Sequence, residues 1–213
     1  ITATPAPGWA FSHWEGSLAG YGASARVRMN VNRRTTAVFV PLTPTADNSL
    51  ARFVGKHDPN YSWYQVNSTA HFLWTEYTWS MTSQQWRDAS EVDHPLWVHE
   101  VNMIDYWFSA PECVLLIDGG SNPPGYGGPE GDLAIACMII GMDLVDVKQV
   151  PNEPLYFTDE VNRRRTEDEI LGYSIDKFLV TGDDEWPVHQ AMVKSAVRAM
   201  DLVQERFIDM KDF

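Results

Sequence analysis

Two short segments hold the residues best able to do chemistry: Gly119-Gly120-Ser121-Asn122 and Gln149-Val150-Pro151-Asn152-Glu153-Pro154. Adjacent glycines let a chain turn sharply and aim consecutive backbone N–H groups at a bound anion or a developing oxyanion. In the second segment Gln149, Asn152 and Glu153 offer amide and carboxylate groups that could orient a substrate, on a loop stiffened by prolines. A plain tight turn would use the same residue types. No nucleophile accompanies them: the Gly-x-Ser-x-Gly elbow is not met at Ser121, where Asn122 is followed by Pro123 and Pro124, nor elsewhere in the chain. No catalytic residue is visible, and the loops read as oxyanion or substrate-facing candidates.

Both loops follow apolar runs that predict strands. Cys113 to Ile117 is a continuous apolar run of the kind buried on both faces, and Leu144 to Val150 predicts the next strand. Between them a Gly-rich loop, Gly125 to Gly131, leads into an apolar helix from Leu133 to Gly141. Loops at the carboxyl ends of parallel strands form the ligand crevice of open sheets, which is where these segments fall. Before this region, alternation predicts a strand or two over Tyr64 to Ser83 and another from Leu96, an antiparallel pair connected by Thr82 to Pro95. A short helix is predicted from Ser49 to Val54, capped by Asp47 or Asn48 and ended by Gly55.

After it, Thr166-Glu167-Asp168-Glu169 matches a capping box. A stripe of Ile170, Leu171, Ile175, Phe178 and Leu179 follows, closed by Gly182. The last helix begins at Pro187, with Val188, Met192, Ala196, Met200, Val203 and Phe207 as its core stripe. This succession predicts an α/β fold, an antiparallel strand pair leading into parallel strands with flanking helices. Residues 1–45 show no sustained period apart from a strand at Thr36 to Pro41, and read as an extension or linker that Trp9 and Trp14 could anchor.

A net charge of −13 disfavours nucleic-acid binding, and no apolar stretch reaches membrane-spanning length. Arg163-Arg164-Arg165 reads as a solvated run. The histidines (His13, His57, His71, His94, His99, His189) have no metal-ligand spacing, so no metal and no cofactor are expected; Asp93 and Glu100 lie near His94 and His99 and could pair with them, but structural hydrogen bonds are the favoured reading. Cys113 and Cys137 read as buried free thiols. The aromatics from Trp63 through Trp97 read as core rather than as a binding groove. Asn60 and Asn67 lie in Asn-x-Ser/Thr patterns, candidate glycosylation sites in a turn-rich, exposed region.

Several ordered blocks resemble the PhoPQ-activated pathogenicity-related protein family, which includes autocrine proliferation repressors. They are Asp58-Pro59-Asn60-Tyr61-Ser62-Trp63, Thr82 to Arg87, Val92 to His99, Gly119 to Asn122, Gln149 to Leu155, Asp176 to Leu179 and Ala196 to Asp201. The resemblance implies a secreted protein whose residues 46–213 form the amino-terminal half of an α/β-hydrolase-like sheet, lacking the nucleophile half. The serine elbow, acid and histidine would come from the carboxy-terminal half of the same protein. Pro123, Pro124 and Glu100 depart from the family pattern.

The full-length protein is then expected to be an ester-type hydrolase acting on a small-molecule or ester substrate, with the present segment inactive alone. The alternatives are a non-catalytic secreted signalling protein with a cell-surface partner, or an extracellular structural or binding component.

Overall fold

The computed structural model describes residues 1–207 except 7–8, 19, 21, 29, 42–47 and 110–111. Asp47 lies outside the described residues. The first 41 residues hold two antiparallel strands, β1 (Trp9–Gly16) and β2 (Thr35–Pro41), where only the second was expected. Their period was obscured because a bulge between Phe11 and His13 breaks the alternation. This ribbon has a small core of its own: Ala3, Trp14 and Leu18 are buried, with Phe11, Val27 and Phe39 packed on them. Trp14 is therefore the centre of that core, while Trp9 is exposed. Gly20 and Gly22 pass against Gln204 and Glu205 of the last helix, close enough that a side chain at either glycine would collide.

After α1 (Ser49–Gly55), capped by the Asn48 side chain on the Ala51 N–H, the main sheet begins. It contains β3 (Ser62–Ala70), β4 (Trp74–Gln85), β5 (Leu96–Tyr106), β6 (Cys113–Ile117) and β7 (Asp143–Val147), in the order β3-β4-β5-β7-β6. The first three strands are antiparallel, one more than the expected pair. β7 runs antiparallel to β5 and parallel to β6. The connection between β6 and β7 carries α2 (Gly131–Ile140), whose C-cap Gly141 adopts φ 77°. Antiparallel strands leading into a crossover-linked parallel pair meet the α/β-hydrolase-like expectation.

β7 is buried along its whole length, with apolar residues packed on both of its faces. Val145 and Val147, with Trp79, Met81, Val101 and Met103, pack on Ala199, Leu202 and Val203 of α4 (Val188–Arg206). Leu144 and Ile104 pack on Cys137 of α2 from the other side. β6 has a strand partner on one side only among the described residues. That explains why its run is buried only at Cys113 and reaches half exposure at Ile117, contrary to the expectation of a strand covered on both faces. A second cluster, Trp86, Trp97, Phe157 and Trp186 with Phe53, Leu155 and Ile170, binds the start of α4 to the loop between β4 and β5.

Four further expectations change. The strand predicted to reach Val150 ends at Val147, because Gln149 turns with φ 59°. The capping box at Thr166 does not form: α3 (Asp168–Thr181) is entered through Glu167 at φ 43°, with no side-chain cap. On α3 only Ile170 of the expected apolar stripe is fully buried; Ile175 and Leu179 are exposed. The basic run is not uniformly solvated. Arg165 is buried and ion-paired with Glu160, and Arg164–Arg165 forms β9, pairing with β8 (Leu155–Tyr156).

Candidate functional site

The two sequence-predicted loops leave the carboxyl ends of β6 and β7 and are joined to each other. The Gln149 N–H donates to the Gly119 carbonyl at 2.8 Å, the Val150 N–H to the Asp118 carbonyl at 3.1 Å, and the Asn122 N–H to the Glu153 carbonyl at 2.5 Å. The Asn122 side-chain amide donates to Asn152 Oδ1 at 2.9 Å, and the Asn152 amide donates in turn to the Val98 carbonyl at 2.7 Å. The Asn122–Pro123, Val150–Pro151 and Glu153–Pro154 peptide bonds are cis.

This places the candidates unequally. Asn152 is buried and links the loops to β5, and the Glu153 carboxylate accepts the Glu167 N–H at 2.5 Å, supplying the acceptor that α3 lacks from its own cap. Gln149 is buried and its Oε1 accepts the Glu100 N–H at 2.9 Å. These three side chains hold the loops together. The Gly119 N–H is taken by Asp118 Oδ1 at 2.8 Å. The N–H groups of Gly120 and Ser121, both exposed, donate no hydrogen bond among the described residues. Gly120 has φ 118°, a conformation that L side chains rarely adopt, and an added Cβ would lie 3.4 Å from Gln149 Nε2. Two adjacent free donors at the end of a buried sheet can bind an anion or an oxyanion.

Beneath the loops lies a layer of buried polar residues from the middle of β5. The Glu100 carboxylate accepts the Gly127 N–H at 3.1 Å, the Gly128 N–H at 2.9 Å and the Asn102 amide at 2.9 Å. These two donors of the Gly-rich loop are thus taken by the protein's own carboxylate. Lys148 Nζ donates to the Gly128 carbonyl at 2.7 Å and sits 3.6 Å from Asp146. The Asp146 carboxyl is fully buried. Desolvation, against the pull of Lys148 and Asn102, pushes it up to about 6.

His99 makes structural hydrogen bonds, the favoured reading, rather than pairing with a carboxylate. Nδ1 donates to the Lys148 carbonyl at 2.9 Å, and Nε2 meets Ser83 Oγ at 3.0 Å. Ser83 continues to Ser195 at 3.1 Å, while the Gln84 amide donates to the Ala191 carbonyl and to Ser195. Burial holds the His99 imidazole down at about 4, so it is neutral. A Ser–His pair sealed from solvent has no route for a substrate, and it fixes the second loop to β4 and α4. His94 does pair with Asp93, at 2.5 Å.

Sequence reasoning missed Ser83, Gln84, Asn102, Lys148 and Ser195 as site supports, and took Glu100 as a departure or a possible partner of His99. The signal was His99-Glu100 and Asn102 inside an otherwise apolar strand, since polar residues in a doubly covered strand must find buried partners.

Among the described residues no group of three or more His, Cys, Asp or Glu could hold a metal ion, and no helix is long and apolar enough to cross a membrane. Cys113 and Cys137 are free and buried, and burial pushes the Cys113 thiol up to about 12. Asn67 is exposed on β3, whereas Asn60 is half-buried and its amide donates to Asp58.

The model of the PhoPQ-activated pathogenicity-related protein family matches residues 50–213. The chain is similar to autocrine proliferation repressor protein A of Dictyostelium discoideum, 31% identical over 160 residues that cover 73% of this chain and 32% of the relative. It therefore spans about a third of the length of that curated relative. Among solved structures, a Bacteroides fragilis protein assigned as an acetyl xylan esterase aligns with a TM-score of 0.42 and 10% identity, over 73% of this chain and 40% of that one.

Proposed function

Because this chain belongs to the PhoPQ-activated pathogenicity-related protein family, we propose that it supplies the oxyanion side of an ester-hydrolase crevice in a secreted full-length protein. The observation that carries this reading is the pair of free N–H groups at Gly120 and Ser121, at the carboxyl end of β6 and held by the part-buried Asn122–Asn152–Val98 chain of hydrogen bonds. Donors fixed before the reaction stabilise a developing oxyanion without reorganisation, which is where such sites gain most of their effect. The nucleophile and its base would come from sequence beyond this chain, and Asn122, Asn152 and Gln149 act as the frame of the loop.

The test is ester hydrolysis by the full-length protein. Gly120→Ala is expected to lower kcat by about 10²-fold with KM little changed, because alanine is strained at φ 118° and the turn that aims the donors must shift. A kcat equal to that of wild type would remove the Gly120 loop from the mechanism.

A second reading is favoured by the name of the Dictyostelium relative, an autocrine proliferation repressor. Under it the protein is a secreted signal that keeps the hydrolase frame without turnover. Growth repression unaffected by Gly120→Ala, in a protein with no ester turnover, is the outcome that reading requires.

A further inference from the structure

The residue that sets the crevice is buried one layer below it. Glu100 is 1% exposed, in the middle of a sheet where an unpaired charge is costly. Its carboxylate receives three hydrogen bonds, from the Gly127 and Gly128 N–H groups and from the Asn102 amide. Asn102 is oriented in turn by Thr78, whose hydroxyl donates to Asn102 Oδ1 at 2.9 Å. The main chain of the same residue holds the other loop: the Glu100 carbonyl accepts the Lys148 N–H at 2.9 Å, and the Glu100 N–H donates to Gln149 Oε1. Gln149 then donates its own N–H to Gly119.

Lys148 closes the circuit by donating to the carbonyl of Gly128. Tyr126, at φ 54° in the Gly-rich loop, is anchored to the same strands by donating to Ser80 Oγ at 2.9 Å. Glu100 thus touches the Gly-rich loop through its side chain and the Lys148–Gln149 segment through its main chain.

We propose that Glu100 is the positioning residue of this crevice, its carboxylate fixing the Gly-rich loop and its main chain fixing Gln149 and, through it, the Gly119–Gly120 turn. The inference rests on reading the two loops as the sides of one crevice. It also accounts for an acidic residue in an apolar strand. Gly127 and Gly128 present two converging N–H donors that no neighbouring carbonyl takes, and a carboxylate offers an acceptor oxygen to each while receiving Asn102 as well. A carboxamide at position 100 has one acceptor oxygen and one donor nitrogen, so one glycine N–H would face another N–H. An aspartate keeps the charge but is one methylene too short for both contacts.

Hydrogen exchange of the folded protein, read by mass spectrometry, tests this in Glu100→Gln and Glu100→Asp. Exchange across 125–131 is expected to accelerate about tenfold or more in both variants, because the Gly127 and Gly128 donors lose their partner. Segment 148–154 is expected to stay protected, since its bonds to Glu100 are main-chain. Unchanged exchange across 125–131, or acceleration spread evenly over the sheet and α4, overturns the proposal. Glu100→Asp keeps the test available if the glutamine variant does not fold.

In the full-length protein the same variants are expected to lower kcat for an ester while KM holds; unaltered kcat alongside loosened loops also overturns it. Absence of ester turnover in wild type would defeat the hydrolase reading, and the exchange experiment would still decide the role of Glu100.

Discussion

Trp86→Ala is expected to lower the unfolding free energy by about 3–5 kcal/mol, a large part of the ~5–15 kcal/mol that holds a typical domain together. Trp86 is fully buried, and its ring meets Trp97 edge-on at 5.8 Å, Trp186 at 6.2 Å and Phe157 at 6.4 Å. Its indole N–H donates to the Glu185 carbonyl at 3.2 Å. The alanine variant loses this burial and leaves a cavity among rings that belong to three separate segments. These rings cannot close the gap without moving α4, so relaxation recovers little. Urea unfolding should show a lower midpoint at an unchanged slope, with Trp86→Phe retaining most of the stability.

Acid sensitivity centred on His99 is the second large effect. The imidazole titrates at about 4 in the folded protein, against 6.5 when unfolded, because burial disfavours its charged form. A depressed folded value means that the unfolded chain binds the proton first. The contribution is fully present above about pH 6.5 and is lost as pH falls toward 4, amounting to about 3 kcal/mol.

Asp143 and Asp146 act in the opposite direction. Desolvation pushes both up to about 6 from 3.8, so their contribution is fully present below about pH 3.8 and lost as pH rises through 6. The wild-type profile is the sum of these opposed slopes, and only a difference isolates the histidine. The unfolding free energy of wild type minus that of His99→Asn, measured from pH 7 to pH 4, is expected to fall steadily with pH. A flat difference would mean that His99 is not buried neutral.

The sheet was legible in the sequence where periodicity and turn chemistry coincided. Val145 and Val147 on one face of β7, Leu144 on the other, and Gly141 and Gly182 at helix ends all follow from patterns that local physics enforces. The Gly119–Asn122 and Gln149–Glu153 loops were found for the same reason, and the structure joins them as neighbours.

What the residues could not convey was where each polar group finds its partner. Asn152 and Glu153 look like substrate contacts until Val98 and Glu167 are brought beside them from 54 and 14 positions away. The capping box at Thr166 failed for a related reason: Glu153 took the Glu167 N–H, and local propensity yielded to a tertiary contact. Glu100 was the least legible, because its partners Gly127 and Gly128 come from a loop whose path only the folded sheet defines.

Gly120 and Ser121 are expected to present oxyanion donors to a nucleophile contributed by the rest of the full-length protein. A serine-directed fluorophosphonate probe tests this most directly, since labelling requires both an activated serine and an oxyanion site. The native full-length protein is expected to be labelled at one serine outside residues 1–213. Labelling should be lost on denaturation and slowed about 10²-fold by Gly120→Ala. A folded, native full-length protein that takes up no label would contradict it.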